Sequence, residues 1–117
     1  MTADERFAVA AHTTTTGSIL TIRGDLDAAS APEVLKEIEG VTVSAGQLLV
    51  VDLAGLTFCD SSGITALIAA HNVAEAANAD MALVSVPAQL TRTLGLIGLA
   101  GFFTTYATAD QAAAAHI

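Results

Sequence analysis

A run of small polar residues, Asp60-Ser61-Ser62-Gly63, is the part of the chain best suited to chemistry. The apolar spacing that follows it from Ile64 predicts a helix, and aspartate and serine are preferred where helices begin. Free backbone N–H groups and the positive end of the helix dipole favour negative charge at such a junction by about 0.3–1 kcal/mol. A phosphate attached to Ser61 would therefore be stabilised by its surroundings.

A simple helix cap is the plainer interpretation of the same run. Most Asp and Ser residues that precede a helix have only that role. One cap satisfies a helix, however, so the residues beyond it leave a further hydroxyl at an accessible turn. Gly63 has no side chain and would allow another backbone to approach closely. The combination favours a site that a partner recognises.

Nucleophilic catalysis by these serines is not favoured, and we expect no enzyme. The chain lacks a G-x-S-x-G elbow, a G-x-x-x-x-G-K-[ST] loop and a G-x-G-x-x-G sequence, so no nucleotide cofactor is predicted. His71 falls on the apolar face of the predicted helix, where a partly buried, hydrogen-bonded histidine is the common role. His12 and His116 lie near the two ends of the chain.

We also predict no metal site. One cysteine and three widely spaced histidines do not form a zinc pattern. Four aspartates could meet at one end of a sheet and bind Mg²⁺, but acidic loop residues usually form turns or caps; they are Asp25, Asp27, Asp52 and Asp60. Cys59 lies next to Asp60, whose charge disfavours a thiolate, and we interpret it as a packing residue.

The elements that would position these residues follow from hydrophobic spacing. Strands are predicted at 7–12, 18–24, 81–86 and 102–106, and a central strand is predicted within 47–53, around the unbroken apolar run at 48–51. Residues 53–59 are predicted to connect the central strand to the helix after Asp60. Helices are predicted from the S-x-x-E sequence at Ser30 to Gly40, from 61 to about 77, from Pro87 to about 98, and over 109–115.

The order of these elements is β-β-α-β-α-β-α-β-α. Residues 13–17 are short, polar and end in glycine, so the first two strands are expected to pair as an antiparallel hairpin. Strands that alternate with helices favour parallel pairing through right-handed crossovers. We therefore predict an α/β fold with a mainly parallel sheet, in a single domain covering residues 1–117.

The composition limits the class of partner. With 4 basic and 12 acidic residues among 117, the formal net charge is −8, which disfavours nucleic acid and anionic membranes. No stretch supplies the roughly 18 apolar residues of a spanning helix. Residues 1–6 carry acids where a secretory signal needs positive charge, and Cys59 has no partner for an internal disulfide. We expect a cytoplasmic protein with a basic or neutral protein partner.

The stretch 51–64, VDLAGLTFCDSSGI, resembles the signature of the bacterial STAS domain, the fold of anti-sigma factor antagonists. Two further segments are similar to family patterns, GDLD at 24–27 followed by Ala31-Pro32, and LGLIGL at 94–99. The resemblance covers nearly the whole chain. The sequence differs at Ile64-Thr65, where many relatives have Leu-Gly, and this would change the fit to a partner.

The resemblance implies a phosphorylation switch. In the family, the first serine after the aspartate of D-S-S-G, here Ser61, is phosphorylated by a cognate anti-sigma factor that is also an ATP-dependent serine kinase. The unphosphorylated antagonist binds that anti-sigma factor and frees the sigma factor, and a PP2C-type phosphatase restores it. The resemblance and the motif place the surrounding switch loop at Asp25, Asp27, Asp60, Ser62 and Gly63.

Several alternatives stay open at this point. Asp25 and Asp27 fit turn residues before a helix as well as they fit a recognition loop, and Ser62 competes with Ser61 as the phosphate acceptor. The chain also fits a STAS scaffold or transport accessory subunit that is not phosphorylated. The sequence does not fix the oligomeric state.

Overall fold

The computed structural model describes residues 7–116, which form one α/β domain. Residues 1–6, on which the prediction of no targeting signal depends, lie outside the described part. The strands are β1 (Phe7–Thr14), β2 (Gly17–Leu26), β3 (Leu48–Cys59), β4 (Asp80–Val84) and β5 (Thr105–Tyr106), and the helices are α1 (Ala31–Glu39), α2 (Ser61–Ala76), α3 (Ala88–Leu96) and α4 (Ala109–Ala115). Among residues 7–116, no helix has the length and hydrophobicity needed to cross a membrane.

The described strands form one sheet in the order β1-β2-β3-β4-β5. β1 and β2 pair antiparallel as the predicted hairpin, and the remaining neighbours pair parallel. This arrangement confirms the predicted α/β fold with its mainly parallel sheet. The carboxyl ends of β2 and β3 consequently meet at one edge of the domain, where Leu26 lies opposite Cys59.

The core lies on both faces of the sheet because successive strand residues point to opposite sides. Leu49 and Val51 of β3 join a large cluster with α1, α2 and α3, whereas Leu48 and Val50 join a smaller cluster with α4. All four side chains are buried. This double burial accounts for the unbroken apolar run of the central strand.

β3 is longer than predicted, so the expected connector over 53–59 is wrong. The strand continues to Cys59, and its second half pairs with β2 through two irregularities in register. Leu53 and Leu56 are buried along this extension. The pairing with β2 therefore outweighs the turn-like composition of Ala54 and Gly55. As a result, β3 ends only two residues before Ser61.

The predicted capping box of α1 does not form, although the helix begins and ends where it was expected. The Ser30 side chain makes no cap bond to the helix. Its hydroxyl donates to the Asp25 carbonyl oxygen at 2.6 Å and accepts from the Asp27 backbone N–H at 3.0 Å. Ser30 therefore closes the loop between β2 and α1, and Gly40 ends the helix as predicted.

The final predicted strand, 102–106, is also wrong in extent, since only Thr105–Tyr106 pairs with β4. Phe102 and Phe103 instead pack against each other and against His71 of α2. Ile97 lies just past the end of α3 and is 54 % exposed. Burial of Phe103 in the core outweighs the strand preference of its aromatic ring.

Candidate functional site

Ser61 is the first residue of α2 and follows the end of β3 by two positions. Its side chain is exposed, whereas Ser62 is half-buried. The Ser61 carbonyl oxygen accepts a hydrogen bond from Thr65 Oγ1 at 3.0 Å, within the first turn of the helix. A surface hydroxyl is thus presented at the positive end of a 16-residue helix.

Asp60 is the residue of the run at 60–63 that caps α2. One of its carboxylate oxygens, Oδ1, accepts from the backbone N–H of Ser62 at 2.9 Å and of Gly63 at 3.2 Å. The Asp60 N–H donates to the Leu26 carbonyl oxygen at 3.2 Å, which ties the turn to the end of β2. Because Asp60 supplies the cap, the hydroxyl of Ser61 is not needed for that purpose.

Gly63 is buried and has an internal reason to be glycine. A Cβ at this position would lie 2.6 Å from Cys59 Sγ and 2.8 Å from both Cγ and the carbonyl oxygen of Leu26. The first turn of α2 therefore packs closely on the ends of β2 and β3. This packing explains the glycine without the approach of a partner backbone, which was the reason predicted from the sequence.

Asp25, near the end of β2, and Asp27, in the loop that follows it, have different contacts. Asp25 Oδ1 accepts from Thr57 Oγ1 at 2.7 Å and so joins β2 to β3. Asp27 Oδ1 accepts from the backbone N–H of Ala29 at 3.0 Å and of Ser30 at 3.1 Å. The alternative role of a turn residue before a helix therefore fits Asp27. Asp25 is instead held against the end of β3, which leads to Ser61.

Phe58 is a residue near the site that the sequence analysis missed. It is 44 % exposed, although it is a large apolar side chain. Beside it, a shallow depression between β3 and α3 is lined by Thr57, Pro87 and Leu90 among others. A signal existed, because Phe58 is a large apolar residue only two positions before D-S-S-G.

The thiol of Cys59 lies under the turn. Its partial burial, and secondarily the charge of Asp60, raise its pKa from 9.0 to about 11. The sequence predicted this direction from Asp60 alone, whereas burial is the larger cause. The thiol therefore stays neutral at physiological pH, which fits a packing role.

Histidine is not placed to assist Ser61. His71 lies ten positions further along α2, about 15 Å at 1.5 Å per residue, and packs on Phe102. Its ring is partly buried, as predicted, and its Nδ1 has no hydrogen-bond partner among the described residues. His116 Nδ1 lies 3.3 Å from Asp80 Oδ2. Within residues 7–116, no group of three or more His, Cys, Asp and Glu side chains is placed to hold a metal ion.

The fold and the site together define a small α/β domain that presents one serine at a capped helix entrance beside two strand ends. This chain belongs to the STAS domain family, whose model matches residues 8–112. That match covers every described element except the end of α4 and the first residue of β1. Among curated proteins, none matches the chain.

Solved structures with the same fold include anti-sigma factor antagonists. An antagonist from Mycobacterium paratuberculosis is 25% identical, with a TM-score of 0.81 and coverage of 99% of this chain and 98% of that one. The phosphorylated form of the Bacillus cell fate determinant SpoIIAA is 19% identical, with a TM-score of 0.68 and coverage of 92% and 98%. A sulfate transporter family protein from Wolinella succinogenes is 17% identical, with a TM-score of 0.72 and coverage of 90% and 88%.

Proposed function

We propose that this protein is an anti-sigma factor antagonist whose binding to its anti-sigma factor is controlled by reversible phosphorylation of Ser61. The observation that carries the proposal is that Asp60 and Ser61 have different roles at the start of α2. Asp60 caps the helix, and the neighbouring Ser61 is left exposed at the helix N-terminus. The STAS family membership and the similarity to the mycobacterial antagonist support the same role.

Accessibility favours Ser61 over Ser62 as the phosphate acceptor. Ser61 is exposed, while Ser62 is half-buried and its backbone N–H is bound by the Asp60 cap. A kinase must bring the γ-phosphate of ATP in line with the serine oxygen, which needs an exposed hydroxyl. The solved phosphorylated form of SpoIIAA supports the idea that a domain of this fold accepts a phosphate.

Charge provides the physical basis of the switch. Phosphorylation adds about 1.5–2 negative charges and three acceptor oxygens. The phosphate would lie next to Asp60 and near Asp25, on a chain whose formal net charge is already −8. Docking of a partner would bury the phosphate beside these carboxylates. Both the repulsion between the phosphate and the carboxylates and the loss of the phosphate's hydration would therefore oppose binding. A change from mostly bound to mostly free requires about 3–5.5 kcal/mol of coupling.

The partner surface is proposed to surround Ser61. Asp25, Asp27, Asp60 and Ser62 form its polar part, and Gly63 supports it from below by close internal packing. Exposed Phe58 and the depression lined by Pro87 and Leu90 supply an adjacent apolar part. Specific interfaces commonly combine apolar and polar parts in this way.

The partners follow from this cycle. An anti-sigma factor that is also a serine kinase would transfer the γ-phosphoryl group of ATP to Ser61 Oγ, releasing ADP and the hydroxyl proton. A PP2C-type phosphatase would return the serine by hydrolysis to inorganic phosphate. In this account the chain acts in the cytoplasm as a substrate and a binding protein. It is not an enzyme, needs no cofactor and does not bind nucleic acid itself.

A second candidate function is supported by one comparison. The similarity in fold to a sulfate transporter family protein fits a STAS scaffold or transport accessory subunit that is not phosphorylated. Such a subunit would use the same surface for constitutive binding. The two candidates differ in whether Ser61 accepts phosphate.

The test is phosphorylation by purified histidine-kinase-like ATPases encoded beside the gene for this chain. Each is incubated with the protein and ATP, and the product is analysed by intact mass with site mapping. We expect a gain of about 80 Da on Ser61, absent from Ser61→Ala and retained in the matched control Ser62→Ala. No gain with any of these kinases, together with stable binding to one of them regardless of ATP, would favour the scaffold.

A further inference from the structure

A second candidate site lies at the opposite end of the sheet from Ser61. The second half of α2, the start of β4 and the end of α4 surround a cavity of about 320 Å³. That volume is at the lower end of the range for small-molecule sites. His71, which lines it, is about 15 Å along α2 from Ser61, so the cavity is distinct from the proposed phosphorylation site.

The shortness of β5 creates this cavity. β5 pairs with β4 only from Leu83 onward, and the Leu83 N–H donates to the Thr104 carbonyl oxygen at 2.9 Å. The Asp80 N–H instead donates to the Gln47 carbonyl oxygen at 2.8 Å, on the β3 side of β4. Because peptide groups alternate in direction along a strand, the N–H and C=O of Met81 point to the β5 side, where no β5 residue lies opposite.

The cavity wall contains an unsatisfied polar atom set among aromatic rings. In the part of the chain that the structure describes, His71 Nδ1 is the one buried side-chain nitrogen or oxygen without a hydrogen-bond partner. The His71 ring centroid is 4.6 Å from that of Phe102 and 6.4 Å from that of Phe103. The rings and the Met81 peptide group suit a flat molecule with hydrogen-bonding groups at its edge.

The charged residues around the cavity favour a positively charged ligand. Glu75 and Asp80 line it, and Asp80 is 3.3 Å from His116 Nδ1. Among the described residues, no lysine or arginine lines the cavity. Glu75 is exposed at the rim, where its carboxylate is free to meet a ligand cation. Aromatic faces also attract cations.

We propose that this cavity binds a small planar organic cation, an aromatic or heteroaromatic ring with a protonated nitrogen substituent. The ring packs against Phe102 and His71, and the cationic N–H groups donate to Glu75 and to the Met81 carbonyl oxygen. The size of the cavity limits the ligand to a fragment-sized molecule. Binding here requires neither a kinase nor phosphate on Ser61.

The test is a titration of ¹⁵N-labelled protein with benzamidine, followed by amide chemical shifts. Benzoate, which has a similar shape and the opposite charge, is the ligand control. We expect saturable shifts at His71, Met81 and Phe102 with a Kd on the order of 1 mM for benzamidine, and none with benzoate. Equal responses to the two ligands, or no saturable shift with benzamidine, would overturn the proposal.

A pair of variants tests the charge recognition. Glu75→Gln removes the carboxylate at the rim and is expected to weaken benzamidine binding at least about fivefold, since it removes a charge-assisted hydrogen bond. Glu33→Gln changes an exposed glutamate of α1, outside the cavity lining, and should leave the Kd unchanged. Equal affinities for the two variants would contradict the role of Glu75. The amide spectra also show directly whether each variant is folded.

Discussion

Thr57 donates a hydrogen bond of 2.7 Å from its hydroxyl to the Asp25 carboxylate, across 32 positions of sequence. The bond joins the last residues of β3 to those of β2, where Asp25 lies opposite Phe58 in the register. Immediately beyond it the chain turns through Asp60 into α2. The contact therefore joins the ends of β2 and β3, the two strands that lead to the turn before Ser61.

Removing the donor should loosen this edge. Thr57→Val deletes the hydroxyl and is expected to lower the free energy of unfolding by about 1 kcal/mol or less, because the bond is exposed. Amide hydrogen exchange at Phe58 and Cys59 should accelerate more than exchange at the centre of β3. Asp25→Asn keeps an oxygen acceptor and serves as the control. Unchanged exchange in Thr57→Val would show that the bond does not order the end of β3.

The Asp60 cap should contribute measurably to stability. Asp60→Ala removes the acceptor for the N–H groups of Ser62 and Gly63 and is expected to cost about 1 kcal/mol, measured by urea denaturation. Asp60→Asn retains the oxygen and should lose less than half as much. Similar losses in both variants would mean that the charge, rather than the hydrogen-bond acceptor, carries the effect.

Gly63 should tolerate no side chain. Gly63→Ala places a methyl group against Cys59 Sγ and the Leu26 carbonyl oxygen, and we expect a loss of about 1–3 kcal/mol. Gly95, in α3, has open space within 4 Å of the position that a methyl group would occupy, so Gly95→Ala should be neutral or stabilising by up to about 1 kcal/mol. Thermal unfolding of the two variants compares them directly. Equal changes would contradict the close packing at Gly63.

The Cys59 thiol should make stability depend on alkaline pH. Its pKa in the folded protein is raised from 9.0 to about 11, so folding favours the neutral thiol. This contribution is fully present below pH 9 and is lost as the pH rises towards 11. Urea denaturation at about pH 8 and about pH 10.5 should show a steeper loss for wild type than for Cys59→Ala. Parallel losses would place the pH dependence elsewhere.

The order and type of the elements were predictable because they depend on local hydrophobic spacing. The unbroken apolar run at 48–51 indicated a strand buried on both faces, and Ser30 and Gly40 marked the limits of α1. A cap at the start of α2 was also predictable, because a cap bonds within three residues, but the sequence did not decide between Asp60 and Ser61 as the capping residue.

Features that depend on distant contacts were not predictable. The second half of β3 forms because β2 is long enough to pair with it as far as Leu26. β5 is short because Phe102 and Phe103 pack on His71, which lies about thirty positions earlier in the chain. The bond between Thr57 and Asp25 and the internal role of Gly63 likewise require the folded arrangement.

The most direct test of the central claim is the affinity of the anti-sigma factor for the protein before and after phosphorylation of Ser61. Calorimetric titration would compare the unphosphorylated protein, the protein with phosphate at Ser61, and the variants Ser61→Ala and Ser61→Asp, with melting curves to confirm that all are folded. We expect unphosphorylated protein and Ser61→Ala to bind tightly, and the phosphorylated form to bind at least about 100-fold more weakly, with Ser61→Asp also weakened. Equal affinity of the phosphorylated and unphosphorylated forms would contradict the account.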